Sequence, residues 1–166
     1  VTGKAFNQIV GQWAFAFAFV CLLFLIVLVG KRVFFIKDIP EPALPTIIIF
    51  SAPASLCLAG YINSFDTKNM ILFWFLLALS QGFYIFAIIK LFVLLNLPFY
   101  PSYSGFTFPL VISALALKLS NGFLTSQGID TKLLSIFVKA EELISVAIVC
   151  YVFIRYLNFL VKSKAN

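Results

Sequence analysis

Residues 13–30 read WAFAFAFVCLLFLIVLVG, and this stretch has no charged side chain. The charge-free stretch extends over residues 5–30, and others follow at residues 42–65, 69–89 and 91–117. Each is at least as long as the about 20 apolar residues with which a helix crosses the hydrocarbon core of a bilayer. The pattern therefore predicts an integral membrane protein.

The composition agrees with a membrane environment. Hydrophobic residues make up 63% of the chain and charged residues 11%, and the mean hydropathy is +1.09. A soluble domain carries about 25% charged residues. The net charge of +6 does not indicate nucleic-acid binding, because the basic residues lie beside the apolar stretches, where they set topology and contact lipid headgroups.

The chain begins with Val1 rather than methionine, and residues 1–12 read as a polar lead-in rather than a signal peptide. We expect it to be a fragment or a processed piece of a longer protein.

Five helices are predicted, because only helices and closed barrels satisfy every backbone polar group in lipid, and the alternation typical of barrel strands is absent. The predicted membrane domain covers residues 1–166, with helices at about residues 13–35, 46–63, 69–95, 103–119 and 131–160. Asn121 and Gly122 are the predicted C-cap of the fourth helix.

The second and fourth helices each carry an internal proline, Pro53 and Pro109. The small or polar neighbours of these prolines are Ser51, Ser55, Ser104 and Gly105. A proline inside a helix frees the carbonyl four residues earlier, here that of Ile49 or of Gly105. Such residues serve close helix packing, or they line a shared polar path. The alternation of broken and unbroken helices favours the path, with the second and fourth helices side by side inside and the first and third outside.

The basic residues predict the orientation. The larger clusters, Lys31–Arg32 and the group Arg155, Lys162 and Lys164, fall on one side of the predicted bundle. Because cytoplasmic loops carry the excess of lysine and arginine, we predict a multi-pass protein of the plasma (cell inner) membrane with a cytoplasmic C-terminus.

The inventory of reactive groups argues against an enzyme. The chain has no histidine, no nucleotide-binding motif and no nucleophile-elbow motif. Its six acidic residues are scattered, apart from the adjacent Glu141 and Glu142. We expect no catalytic residue, no metal and no cofactor.

Glu141 and Glu142 have two interpretations. Either this charged turn lies at a membrane surface while residues 143–160 span, or residues 133–154 span and the acids are buried and proton-linked. Lys139 lies three residues before Glu142, so these two side chains can meet on one helix face.

A path between the second and fourth helices would be lined by aliphatic and aromatic side chains, hydroxyls and freed backbone groups, because residues 42–65 and 91–117 carry no charge. A lining without an acidic ring argues against a cation pore.

Two segments resemble a known family. PTIIIFSAPASLCLAGY (residues 45–61) and PFYPSYSGFTFPLVISALAL (residues 98–117) are similar to the seventh and ninth helices of the tellurite-resistance/dicarboxylate transporter family. These TehA-like proteins include the slow anion channels of plant guard cells. The third helix, with Gln81, Gly82 and Phe83 at its centre, fits the eighth. The resemblance covers almost the whole chain, and FTFPL with the upstream FYPSY is its more specific motif.

The resemblance implies an all-α membrane fold of ten helices around a central pore, commonly as a homotrimer. This chain would supply helices six to ten, with the kinked seventh and ninth on the pore. Missing helices one to five would remove three of five pore walls, so a lone fragment should not conduct. The implied cargo is anions, among them small inorganic anions and C4-dicarboxylates, with tellurite resistance as a side phenotype.

In the family a phenylalanine of the ninth helix plugs the pore, and the matching residue is Phe108, directly before Pro109. Phe106 lies about 200° around the helix from Phe108, so the two rings cannot point into one pore.

Three functions remain open on the sequence. The leading one is an anion channel or transporter gated by Phe108. The second is a proton-coupled exporter of C4-dicarboxylate or tellurite, which needs a titratable group near the path. The third is a non-transporting membrane scaffold subunit.

Overall fold

The computed structural model describes residues 7–31 and 39–164, with side chains described to residue 162. Within these ranges the α-helices are α1 (Gln8–Lys31), α2 (Ala52–Ser64), α3 (Met70–Leu94), α4 (Thr107–Ser126) and α5 (Lys132–Lys164). Two 3₁₀ helices, Glu41–Ser51 and Pro101–Phe106, run directly into α2 and α4. When each 3₁₀ helix is counted with the α-helix that it joins, five described elements are long and apolar enough to cross a membrane. The predicted all-α multi-pass membrane fold is confirmed.

The central pair of helices is α2 and α4, which pack side by side. α3 contacts both of them, α1 packs along α2, and α5 packs along α4. In the apolar windows of the central spans, 56% and 50% of the residues are buried, against 11% in each of the α1 and α5 spans. The predicted side-by-side packing of the second and fourth helices is confirmed.

Both central spans change helix type just before their proline. Ser51 is the last 3₁₀ residue before α2, and Phe106 is the last before α4. Pro53 and Pro109 therefore stand in the first turn of an α-helix, where a missing N–H is tolerated. Serine and threonine hydroxyls support the 3₁₀ turns by bonding carbonyls three residues back, as Ser51 does with Ile48 at 2.9 Å.

The expectation that a proline frees the Ile49 carbonyl is wrong. Because the helix is 3₁₀ up to Ser51, the backbone N–H of Ala52 donates to the Ile49 carbonyl. A tighter turn thus satisfies the group that a continuous α-helix would have left without a donor.

The predicted C-cap at Asn121 and Gly122 is also wrong, because α4 continues to Ser126. Gln127 is the C-cap, and it is followed by Gly128, whose φ of +77° suits glycine. The N–H of Gly128 donates to the Thr125 carbonyl and that of Ile129 donates to the Leu124 carbonyl. This pair of bonds is a Schellman motif, which ends a helix by satisfying its last carbonyls.

The other helix ends differ from the predicted bounds by a few residues. α1 begins at Gln8 rather than at residue 13, and its predicted end at residue 35 lies outside the described residues. The second span begins at Glu41 rather than at about residue 46, because the proline-containing stretch before residue 46 forms a 3₁₀ helix.

Candidate functional site

A buried serine trio joins three helices at the centre of the bundle. The hydroxyl of Ser55 in α2 lies 2.8 Å from that of Ser80 in α3 and 2.8 Å from that of Ser113 in α4. All three residues have no solvent exposure. Hydroxyl pairs of this kind hold membrane helices at a fixed rotation about their axes. The trio therefore decides which sides of α2 and α4 turn away from α3.

Two rows of residues lie on the side that α3 does not cover. On a helix, residues two positions from Ser55 or Ser113 point about 200° away from that serine. The α2 row lines a groove beside α1, and its residues are Pro53, Leu56 and Gly60. The α4 row lines grooves beside α5, and its residues are Phe108, Val111, Leu115 and Lys118. We call these two rows together the central face.

The two phenylalanines beside Pro109 have opposite environments. Phe108 lies on the central face and is 52% exposed, whereas Phe106 has no exposure. The Phe106 ring packs against the Tyr103 ring at a centroid distance of 4.8 Å. Of the two rings, only that of Phe108 reaches the surface of the described bundle.

The six residues predicted to line a path or to kink a helix divide into two groups. Pro53 is half-buried beside the groove between α1 and α2, and Ser104 is exposed at the start of the α4 row. The remaining residues are buried inside the bundle, and they are Ser51, Ser55, Gly105 and Pro109.

Gly105 lies where the two 3₁₀ helices cross. A Cβ atom at this position would lie 3.3 Å from the Pro45 carbonyl oxygen and 3.3 Å from Cδ1 of Ile49. A side chain at this position would be tight against the neighbouring backbone, so the close approach of the two segments favours glycine here.

The FYPSY motif is a junction between three elements. The hydroxyl of Tyr103 donates to the carbonyl of Leu97 at 2.8 Å, and the hydroxyl of Ser102 donates to the carbonyl of Pro42. The Tyr100 hydroxyl donates to Glu41 at 2.8 Å, which raises the pKa of Tyr100 above its ordinary value. The motif therefore ties the end of α3 to the starts of both central spans.

An ion pair lies on the central face. Lys118, near the middle of α4, donates to Glu142 of α5 at 2.8 Å. The spacing of Lys139 and Glu142 lets these two side chains meet on one helix face, but the carboxylate of Glu142 turns across the groove to Lys118 of α4. Ionisable side chains within membrane spans face the bundle interior or a water-filled cavity rather than lipid.

Glu141 turns the other way, into the bundle. Its side chain is 5% exposed and lies near Gln81 and Tyr84 of α3. Gln81 and Tyr84 lie in the middle of α3. Helix α5 continues unbroken on both sides of Glu141, and the two interpretations of this charged turn stay predictions.

Lys118 was not among the sequence-predicted site residues, since it stands just beyond the charge-free residues 91–117 and looked like the end of the fourth helix. The spacing of Lys118 from Phe108 is the sequence signal that places it on the same side of the helix. The series Phe108, Val111, Leu115 and Lys118 follows the three- and four-residue steps of one helix side.

The five described spans define an all-helical multi-pass membrane protein, with an ion pair between α4 and α5. Residues 3–157 match the family model of the voltage-dependent anion channel, SLAC1. The chain therefore belongs to this family of anion channels and transporters, which are not enzymes, and the predicted resemblance is confirmed. Neither the curated proteins nor the solved structures gave a significant match.

Proposed function

We propose that this protein passes small anions along the central face. The observation that carries the proposal is Lys118, a cationic side chain in the middle of α4 and on the same row as Phe108. A lysine half-exposed at this depth is unfavourable against lipid but suits an anion path. Family membership supports the same cargo.

We propose Phe108 as the gate of this path. A half-exposed aromatic ring narrows a lumen and makes a continuous column of water unfavourable, so that the constriction closes by dewetting. The change from 3₁₀ to α-helix ends at Thr107, one residue before Phe108. Such a change of helix type is a common site of bending, so a modest motion there would move the ring.

The gate is tested by anion flux into liposomes that contain the full-length protein. Phe108→Ala is expected to raise the flux several-fold, because the ring no longer fills the lumen. Phe106→Ala is the matched control, and it should raise the flux much less since its ring packs between helices. An unchanged flux in well-folded Phe108→Ala, or a larger gain from Phe106→Ala, would contradict the assignment. No flux from any well-folded version would favour the scaffold function.

We propose that Lys118 contributes to anion selectivity, with Glu142 limiting its charge. Lys118→Gln should reduce the permeability ratio of chloride to sodium by about tenfold, which requires a change of only about 1.4 kcal/mol in relative barrier height. Glu142→Gln should leave that ratio equal or higher, because Lys118 is then uncompensated. Reversal potentials in a salt gradient measure the ratio.

The double variant Lys118→Gln/Glu142→Gln separates a lost attraction from the repulsion of an unpaired carboxylate. Lys139→Gln, an exposed lysine that is not lining the groove between α4 and α5, is the control. Equal ratios in the double variant and the unmodified protein would exclude a direct role of Lys118.

A proton-coupled exporter of C4-dicarboxylate or tellurite is the second candidate, and the burial of Glu141 beside Gln81 favours it. Under this function an imposed pH gradient drives succinate or tellurite uphill, and Glu141→Gln abolishes the coupling while passive flux persists. Glu142→Gln is the control, because it removes the neighbouring carboxylate and leaves Glu141 unchanged, so the coupling should persist. Flux that follows only the anion gradient would exclude coupling.

We further propose a homotrimer in the plasma (cell inner) membrane, with the C-terminus of α5 in the cytoplasm. The family resemblance supports the trimer, and the basic residues Arg155 and Lys162 at the end of α5 support the orientation. If an impermeant reagent added outside intact cells labels the Ser163→Cys variant, the predicted cytoplasmic location of the C-terminus is wrong. The mass of the detergent-solubilised protein tests the trimer.

A further inference from the structure

We propose that the end of α5 binds the phosphate group of an anionic phospholipid. A pocket of about 480 Å³ lies there, between α5 and the loop that precedes α4. The residues that line it are Phe99, Arg155, Asn158, Phe159 and Lys162. The four α5 residues are spaced at three, four and seven positions from Arg155, which places them on one side of the helix. The pocket thus combines two cations and an amide with two apolar rings.

Arg155 is held in place by aromatic side chains. Its guanidinium carbon lies 5.7 Å from the centre of the Phe99 ring, 5.9 Å from that of Tyr103 and 5.8 Å from that of Tyr151. Contacts of this kind orient a guanidinium without neutralising its charge. A planar guanidinium fixed in this way can donate two parallel hydrogen bonds to a phosphate.

The charge of the pocket is uncompensated within the described part of the chain. The ion pairs seen there join Lys118 to Glu142 and Lys132 to Asp130, and neither Arg155 nor Lys162 takes part in one. The Nε atom of Arg155 is buried without a hydrogen-bond partner among the described residues. These two cations therefore attract an anion from outside the described chain.

The level of the pocket along the spans matches the headgroup region. The Tyr156 hydroxyl, next to Arg155, donates to the carbonyl of Pro101, the first residue of the fourth span. Phe99 lies in the loop between the third and fourth spans. Phosphate groups occupy the ends of the spans, and each nearby lysine or arginine attracts anionic lipid. The apolar rings of Phe99 and Phe159 favour a lipid, which brings hydrocarbon with its phosphate, over a free inorganic anion.

The experiment measures the melting temperature of the full-length protein in detergent. Three probes are titrated separately: dihexanoyl phosphatidylglycerol, dihexanoyl phosphatidylcholine and sodium phosphate. Phosphatidylglycerol is expected to raise the melting temperature, and the other two should have much smaller effects. Lys162→Gln should weaken the apparent affinity for phosphatidylglycerol about fivefold, the effect of one cation near an anionic surface. Because the side chain of Lys162 is exposed, we expect Lys162→Gln to fold normally.

Lys139→Gln is the matched control, since it removes one lysine from the same helix far from the pocket, and it should leave the affinity unchanged. Equal losses from both variants would overturn the site. Equal stabilisation by phosphatidylcholine and phosphatidylglycerol would show that the lipid binds through its hydrocarbon chains alone, and it would overturn the assignment of an anionic phospholipid. Equal stabilisation by sodium phosphate would make it a site for free anions and overturn the lipid assignment. None of these three results depends on anion flux. The lipid site is therefore tested separately from the proposed gate and anion path.

Discussion

The α1 span is the most apolar span of the described chain and one of the least buried, whereas the span that ends in α2 is less apolar and the most buried. Their mean hydropathies are 2.8 and 1.8, and the buried shares of their apolar windows are 11% and 56%. In water the order would be reversed, because burial of apolar surface drives folding there. In lipid an apolar side chain gains little by leaving the tails, so helices associate through small residues, close packing and hydroxyl pairs.

The comparison is tested most strongly at Ser55, the centre of the buried trio. Ser55→Leu makes α2 more apolar, yet it should lower the free energy of unfolding by about 1–3 kcal/mol through overpacking. It also removes the hydroxyl that Ser80 and Ser113 both bond. Val27→Leu in α1 is the control, because Val27 is 68% exposed and the larger side chain enters lipid. Unfolding in a denaturing detergent measures both. Equal free energies of unfolding for the two variants would mean that the packing of α2 against its neighbours does not contribute to stability in the way we propose.

A smaller effect is expected at Gly105, where the two 3₁₀ helices cross. Gly105→Ala brings a methyl group to 3.3 Å from the Pro45 carbonyl oxygen, and a backbone atom cannot easily move aside. We expect a loss of about 1 kcal/mol in the free energy of unfolding. Gly122→Ala in α4 meets nothing within 4 Å and should be neutral or stabilising, since alanine is the better helix former. A destabilisation by Gly122→Ala as large as that by Gly105→Ala would show that contact at the crossing is not the cause.

The smallest effect is expected from the loss of a single hydroxyl. Ser80→Ala removes one of the two hydrogen bonds of the trio, and bonds of this type contribute about 0.6 kcal/mol between membrane helices. Ser104→Ala, at an exposed serine whose hydroxyl bonds only the Pro101 carbonyl at 3.3 Å, should change stability less. The same unfolding assay compares the two variants. A larger effect at Ser104 would contradict the importance that we assign to buried hydroxyl pairs.

The spans were predictable because each depends on a local property, namely the length of a stretch without charge. The helix ends were less so, as α4 shows: Asn121 and Gly122 are good cap residues, but the chain remains helical until Gly128 supplies the positive φ. The 3₁₀ helix from Glu41 was missed for a similar reason. Three prolines in and before it indicate a loop in water, whereas here their 3₁₀ turns are covered by α3 and by the second 3₁₀ helix.

The site was only partly predictable, because it depends on how each helix is rotated about its axis. The sequence placed Phe106 and Phe108 on opposite sides of the fourth helix, and the structure buries Phe106 and exposes Phe108. Serines that looked like lining residues are instead buried, Ser55 in the trio and Ser51 against its own helix. A polar residue in a membrane helix can satisfy a neighbour or line a path, and composition does not distinguish the two.

By itself the sequence determined that the chain crosses the membrane, roughly where it does so and which family it resembles. Charge-free lengths and short motifs are properties of consecutive residues, so they need no knowledge of the tertiary structure. The tertiary structure decided that Lys118 meets Glu142, that Glu141 turns into the bundle and that Gly105 lets two 3₁₀ helices approach closely. These contacts join residues far apart in the chain. They exist only because buried hydroxyls and small residues fix the rotation and spacing of helices that lipid would otherwise leave free to turn.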